Sequence, residues 1–292
     1  MTHPPPDDSH QRAPHVVVIG RANIDITVRI PHRPVPGRTT FASAPATTTA
    51  GGKSLNQALA ARRAGAHVSL ISNAGADHWG AFLRQTLTDA AIDTTFFQLI
   101  PSAPTGIAIV EVTPDAENHI VLALPPATEL TAAHIHDALP TLRAPVVVTQ
   151  LDIHPEAVDA VLRHHHAEIL IGNLVPHPAL ESDALAALDI LVANEHETAA
   201  ILGRHHTDPT TAADHLRALG PRTAIVTAGH RGAAYSNPHH TGLITPPPTH
   251  ATNTTGAGDV LLGTLATRLA QHTPLPHAIN DAVTAATKHV AD

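Results

Sequence analysis

The chain contains no cysteine. That excludes disulfides, thiolate metal sites and cysteine nucleophiles, and it agrees with a cytoplasmic setting. Lysine is nearly absent as well, two residues against fifteen arginines. Aromatic residues make up 2% of the chain, six in all. A core must therefore be built from Ala, Val, Leu and Ile, and a base-stacking surface for single-stranded nucleic acid is excluded. Basic clusters are missing and the formal charge is −8, which argues against a polyanion partner. No apolar run approaches the ~20 residues of a membrane span. Residues 1–14 are polar and proline-rich without the apolar centre of a signal peptide, and they read as a disordered tail. What is left is a soluble chain of 292 residues, 43% hydrophobic, long enough for one large α/β domain or two small ones.

Histidine is the surplus, with 25 copies. His164-His165-His166, His205-His206 and His239-His240 suggest metal ligands at first sight. They fall in expected helix ends and loops without ligand spacing, so they read as solvated surface groups. Full protonation would move the formal charge from −8 to +17, which predicts strong pH sensitivity.

Residues 252–263, Thr-Asn-Thr-Thr-Gly-Ala-Gly-Asp-Val-Leu-Leu-Gly, hold the clearest chemistry. A polar loop leads into Gly256-Ala257-Gly258 and then into apolar residues at helical spacing. The first amides of a helix lack intrahelical partners and attract anions. Asp259 beside them is placed to take a proton from an attacking hydroxyl. Alone, the motif reads equally well as a glycine-containing helix start with an N-terminal charge.

The rest of the chain supplies context. His15–Ile19 is a short apolar run ending at Gly20, as in a buried parallel strand. From residue 131 onward helices and strands alternate regularly, which predicts a parallel sheet covered by helices on both faces. Segments around 39–49, 105–112 and 119–124 read as strands of a separate small sheet. Polar groups follow the strands of the main sheet: Asn23 and Asp25; Gln150 and Asp152; Asn173; Asn194 and Glu197; Thr227, Gly229 and Gly232. In an open α/β sheet this carboxyl edge is where ligands bind. Gly51-Gly52-Lys53-Ser54 invites a phosphate-loop reading, which fails because the required first glycine is Thr47.

With these residues in hand, the chain resembles the ribokinase branch of the PfkB carbohydrate kinases over about residues 15–290. The resemblance rests on Gly51-Gly52-Lys53-x-x-Asn56-Gln57-Ala58, on Gly75-x-Asp77-x-x-Gly80, on Asn194-Glu195-x-Glu197, on Thr227-x-Gly229-x-Arg231-Gly232 and on Thr254-Thr255-Gly256-Ala257-Gly258-Asp259. It implies a three-layer α/β/α sandwich with a mostly parallel sheet, spanning 15–292, and a small β-sheet lid from about 26–49 and 104–124. The lid often serves as a dimer interface, so a homodimer is expected. The implied reaction transfers the ATP γ-phosphoryl group to a sugar hydroxymethyl, most simply that of D-ribose. By the same resemblance Asp259 is the base, and the amides of Gly256, Ala257 and Gly258 form the anion hole. Asn23, Asp25, Gly51, Gly52, Lys53, Asn56 and Asp152 would hold the sugar. Asn194, Thr227, Gly229, Gly232, Thr254 and Thr255 would hold the nucleotide, with Asn194 and Glu197 near Mg2+ through water.

Two departures stand out. Asp152 occupies a position where ribokinases carry Glu, which shortens the reach to the sugar. Asn253 replaces an Asp that ribokinases use, with a loop beyond the last helix, to hold an activating monovalent cation. The chain stops at Asp292, short of that loop, so K+ activation is expected to be weak. Deoxyribose, fructose, a sugar phosphate or a nucleoside remain open as acceptors, as does a catalytically weak binding protein. Arg29, Arg33 and Arg38 would serve a sugar phosphate; Phe41, Phe96 and Phe97 would serve a nucleoside.

Overall fold

The computed structural model describes residues 14–114, 118–175, 182–249 and 254–291. All of the tail read over residues 1–14 except Pro14 lies outside them. The first half of the described chain runs β1 (His15–Ile19), β2 (Asn23–Arg29), β3 (Thr47–Gly51), α1 (Lys53–Arg63), β4 (His67–Gly75), α2 (His78–Asp89), β5 (Phe97–Ile100), β6 (Ile107–Val112) and β7 (Asn118–Ala123). It continues through α3 (Ala132–Ala138), β8 (Val146–Gln150), α4 (Pro155–His164), β9 (Ile169–Asn173), α5 (Ser182–Ala186), β10 (Ile190–Asn194), α6 (Glu195–Leu202) and α7 (Pro209–Arg217). The end comprises β11 (Thr223–Thr227), β12 (Ala233–Ser236), β13 (Thr241–Ile244), α8 (Ala257–Ala270) and α9 (Leu275–Ala291).

Nine strands form one sheet in the order β13-β12-β11-β10-β9-β8-β1-β4-β5. The pairs from β11 through to β5 are parallel, and β12 and β13 close one edge antiparallel. A strand buried on both faces must be apolar at successive positions, and β1 meets that demand. Val16 and Val18 join a core with α1, α2, α8 and α9, while Val17 and Ile19 join a second core with α3, α4 and α7. The result is a three-layer α/β/α sandwich. Its buried side chains are mostly aliphatic, as a chain so poor in aromatics requires.

A second, four-stranded sheet in the order β3-β2-β6-β7 grows from the carboxyl end of β1, which lies between β8 and β4 in the large sheet. Register places Asn23 opposite Gly51 and Asp25 opposite Thr49. Strand structure between 39 and 49 is confined to β3, which starts only at Thr47. Residues 41–46 are exposed and irregular, and Pro45 has no amide to give a ladder. The short strand β5 escapes a periodicity reading because its four residues, Phe-Gln-Leu-Ile, barely alternate. One histidine corrects the surface reading: His134 is buried in α3, where desolvation holds its imidazole below the ordinary value. No helix among the described residues is long and apolar enough to cross a membrane.

Candidate active site

The sheet and the two last helices bring the site together at the carboxyl edge of β1, β8, β9, β10 and β11. Helix α8 starts with Gly256 as its N-cap in the left-handed region, φ 77°, and no side chain caps it. Its first amides therefore lack a side-chain acceptor. Of the three amides assigned above to an anion hole, that of Ala257 turns back to the Thr254 carbonyl at 3.3 Å.

Asp259 sits in the first turn of α8, and the packing of α8 on α1 fixes its partners. Gly263, one turn further on, permits the close approach. A Cβ there would lie 2.4 Å from the Gln57 carbonyl oxygen and 2.7 Å from the Ala60 Cβ. Gln57 Nε2 then donates to Asp259 Oδ1 at 2.9 Å, and Asn56 Nδ2 lies 3.4 Å from Oδ2. Gln57 is itself buried and held on both sides. Its Nε2 also donates to Asn173 Oδ1 at 3.0 Å, and its Oε1 accepts from Gln150 Nε2 at 2.7 Å. Burial pushes the Asp259 carboxyl up to about 6, against the opposing pull of the Gln57 hydrogen bond, Lys53 and Asn56. A carboxylate in that range is ionised at neutral pH yet basic enough to accept a proton from a hydroxyl.

Asn194 and Glu197 form a reciprocal cap at the start of α6. The Asn194 side chain accepts from the Glu197 amide and the Glu197 carboxylate accepts from the Asn194 amide, each at 2.8 Å. Glu197 Oε1 meets Lys53 Nζ at 2.9 Å. Lys53, assigned to the sugar from sequence, pairs with Glu197 and joins α1 to α6. Arg231 pairs with Glu195, tying the 229–231 turn to the same helix. Beside these groups lies a cavity of about 950 Å³ bordered by Asn194, Thr227, Gly229, Gly232, Thr254 and Gly258. Its opposite wall is apolar, from Pro246, Pro247, Pro248, Val283 and Val290. A polar floor at strand ends with an apolar slot beyond suits a nucleotide. Thr255 is not part of this lining; its carbonyl oxygen lies 2.9 Å from His289 Nε2.

On the other side of Asp259, Asn23 Nδ2 donates to Asp25 Oδ1 at 2.7 Å. Burial raises the Asp25 carboxyl above its ordinary value. Gly51 packs so closely that a Cβ would lie 2.1 to 2.3 Å from the Asp25 carboxyl atoms. Asp152 is engaged by Arg21, which also binds Glu129. Sequence reasoning missed Gln57 as a functional residue although it lies inside a quoted motif. It also missed Gln150 as a link, Arg21 as more than one of the polar residues after β1, and Glu129 altogether. Arg21 directly follows Gly20 at the end of β1, a position that could have flagged it; Glu129 has no such signal. Asn253, the residue tied to a monovalent cation, lies outside the described residues.

Among the described residues no cluster of three or more His, Asp or Glu side chains is arranged to hold a metal. Both oxygens of Glu197 already accept from protein groups. This donor set fits a magnesium ion that arrives on nucleotide phosphates and is met through water, since Mg2+ keeps most of its hydration.

A basic carboxylate at an uncapped helix start beside a nucleotide-sized cavity suits phosphoryl transfer to a hydroxyl. Residues 13–291 match the pfkB family carbohydrate kinase domain, and the chain belongs to that family. It is similar to the ribokinase of Bacillus subtilis (strain 168), 29% identical over 94% of this chain and 92% of that protein. It is also similar to the deoxyribokinase of Salmonella typhi, 28% identical over 92% of this chain and 90% of that one. Among solved structures, the ribokinase of Thermotoga maritima superposes with a TM-score of 0.83 at 25% identity, covering 95% of this chain and 93% of that one. The chain is an ATP-dependent, ribokinase-like sugar kinase.

Proposed function

We propose that the chain phosphorylates D-ribose on its hydroxymethyl group to give ribose 5-phosphate. The observation that carries the reading is Asp259. It stands at the start of α8, held by Gln57 and Asn56, with a carboxyl raised to about 6. At pH 7 such a group is about nine-tenths ionised and removes the hydroxyl proton as the oxygen attacks the γ-phosphorus. In this reading the first-turn amides of α8 other than that of Ala257 would meet the charge that spreads over the transferring group. Magnesium, carried on the nucleotide, would meet Asn194 and Glu197 through water and neutralise phosphate charge. Asn23, Asp25, Asn56 and Asp152 offer carboxylate and amide groups to vicinal hydroxyls, and Gly51 leaves room for the Asp25 carboxyl.

The aromatic residues argue against a nucleoside acceptor. Phe97 is buried in the core, Phe96, just before β5, packs against the second core, and Phe41 is 81% exposed. We also propose that two copies pair through the small sheet, which would act as a lid. Its edge strand β7 exposes Ile120, Val121 and Leu122 in succession, an apolar edge that a single copy leaves open to solvent.

A coupled ADP-release assay across ribose, deoxyribose, fructose, fructose phosphates and adenosine tests the assignment. Ribose is expected to give the highest kcat/KM; another acceptor ranking first removes the ribose assignment. Asp259→Asn should lower kcat by 10²- to 10⁴-fold while leaving sugar affinity nearly unchanged. Near-normal turnover in that variant removes the base assignment.

A further inference from the structure

The transfer chemistry leaves one charged cluster unexplained. Arg21 follows β1 directly, and its guanidinium is bonded on two sides. Nε and one Nη donate to the Glu129 carboxylate at 2.9 to 3.1 Å. The other Nη lies 2.9 Å from Asp152 Oδ2. All three side chains are about a quarter exposed, at 23%, 24% and 24%, so the cluster is open to solvent. Glu129 lies on the return from the small sheet, and its carbonyl oxygen accepts from Asn73 of β4 at 3.1 Å. Asp152 lies two residues past Gln150, which bonds Gln57 and through it Asp259. The Gly51-Gly52 turn rests on the same backbone, since a Cβ on Gly52 would meet the Arg21 carbonyl oxygen at 2.7 Å. The cluster therefore borders the acceptor end of the site.

Charge decides what that end accepts. Arg21 is neutralised by two carboxylates, one more than it needs. Asp25 adds a further carboxylate to that end, and Lys53, whose charge also acts on Asp259, pairs with Glu197. Arg29 lies six residues along β2 from Asn23, about 20 Å away at the rise of an extended strand. Arg33 and Arg38 lie further still along the chain, past the end of that strand. The acceptor end thus combines abundant hydrogen-bond acceptors with a surplus of negative charge, and the described cations beside it, Arg21 and Lys53, each already pair with a carboxylate.

We propose that Arg21, Glu129 and Asp152 set the acceptor class of this kinase: neutral polyols enter, and sugar phosphates and sugar acids are rejected. Arg21 is a positioning residue. It takes Oδ2 of Asp152 and leaves Oδ1 to accept from a sugar hydroxyl, which fixes the shorter aspartate where a longer side chain would have reached unaided. The inference rests on the sugar-kinase reading and deepens it.

The test uses equilibrium binding and turnover separately, with ribose and ribose 1-phosphate as probes, because both keep the reactive hydroxymethyl free. The chain as it stands should bind ribose at least a hundredfold more tightly than ribose 1-phosphate. The double variant Glu129→Gln/Asp152→Asn leaves Arg21 as an unpaired cation. It should narrow that ratio at least tenfold by gaining affinity for the phosphate ester. Arg21→Met should move the other way and leave the ester bound no better, an opposition that a purely structural role would not produce. Equal binding of both probes by the unaltered chain overturns the proposal, and so does a double variant that loses ribose without gaining the ester. Absence of ADP release with every sugar, alongside intact discrimination in binding, would count against the reading as a kinase and leave the charge cluster's role standing.

Discussion

Replacing Gln57 with Met probes how the base is tuned. The side chains are similar in length, so the core loses little volume. The hydrogen bond to Asp259 Oδ1 is lost, and that bond favours the ionised carboxylate. A hydrogen bond to a charged group contributes about 1.5 to 3 kcal/mol, which corresponds to about one to two pH units. The unaltered enzyme should show kcat/KM falling below about pH 6, where Asp259 takes up its proton. In Gln57→Met that limb should rise by about one to two units. Activity at pH 7 would then drop about two- to tenfold and recover by about pH 9, a recovery that damage to the fold would not give. Stability should fall as well, because Gln150 Nε2 and Asn173 Oδ1 lose their partner in a buried setting, at about 1 to 3 kcal/mol for each group left unsatisfied. The measurement is a pH–rate profile of both proteins under saturating ATP, with thermal melts alongside. A limb that moves by less than about 0.3 units would refute the tuning role, and a limb near pH 4 in the parent would refute the raised carboxyl itself.

Other perturbations separate the two halves of the site. Gly51→Ala puts a methyl where the Asp25 carboxyl now lies; that group can swing aside, so the melting temperature should barely change while KM for the sugar rises tenfold or more. Lys53→Met strips Glu197 of its ion pair and Asp259 of a neighbouring positive charge, so kcat should fall and the acidic limb should move up; an unshifted limb would show that Lys53 acts only on stability. His289→Ala removes the contact to the Thr255 carbonyl at the start of α8, and a rise in KM for ATP with unchanged sugar binding is expected from isothermal titration and steady-state kinetics. Asp259 also predicts a stability trend. Its folded value lies above the ordinary 3.8, so its contribution is complete below about pH 4 and is lost as pH rises through about 6. Asp259→Asn should therefore flatten that part of the stability curve in urea titrations.

Much of this architecture is legible in the chain itself, because burial on both faces forces continuous apolar strands such as Val16–Ile19 and because strand and helix alternate after residue 131. The polar residues after those strands mark the ligand edge for the same reason. Pairings are another matter. Nothing in the spacing of Gln57 and Asp259, 202 positions apart, says that α8 lies against α1; the close contact depends on Gly263, which in sequence is one more glycine in a helix. Lys53 is conspicuous by its rarity, yet its direction toward Glu197 is set by the packing of two helix starts. The Arg21 cluster joins three segments far apart in the chain and matches no motif, so only the folded arrangement brings it to light.

The first two turns of α1 tie these elements into one mechanism. Lys53 reaches α6 beside the nucleotide cavity, Asn56 and Gln57 hold the base, and Gln57 passes on to Gln150 at the end of β8. Two residues further on, Asp152 binds Arg21 and, through it, Glu129 on the return from the small sheet. A nucleotide that drew Lys53 away from Glu197 would add its effect to the acidity of Asp259, because the lysine charge and the Glu197 charge act on that carboxyl with opposite signs. A sugar that engaged Asp152 would pull on the same chain from the other end. The helix therefore offers a physical route by which each substrate alters the site of the other, through rigid hydrogen-bonded contacts and without any large rearrangement of the sandwich.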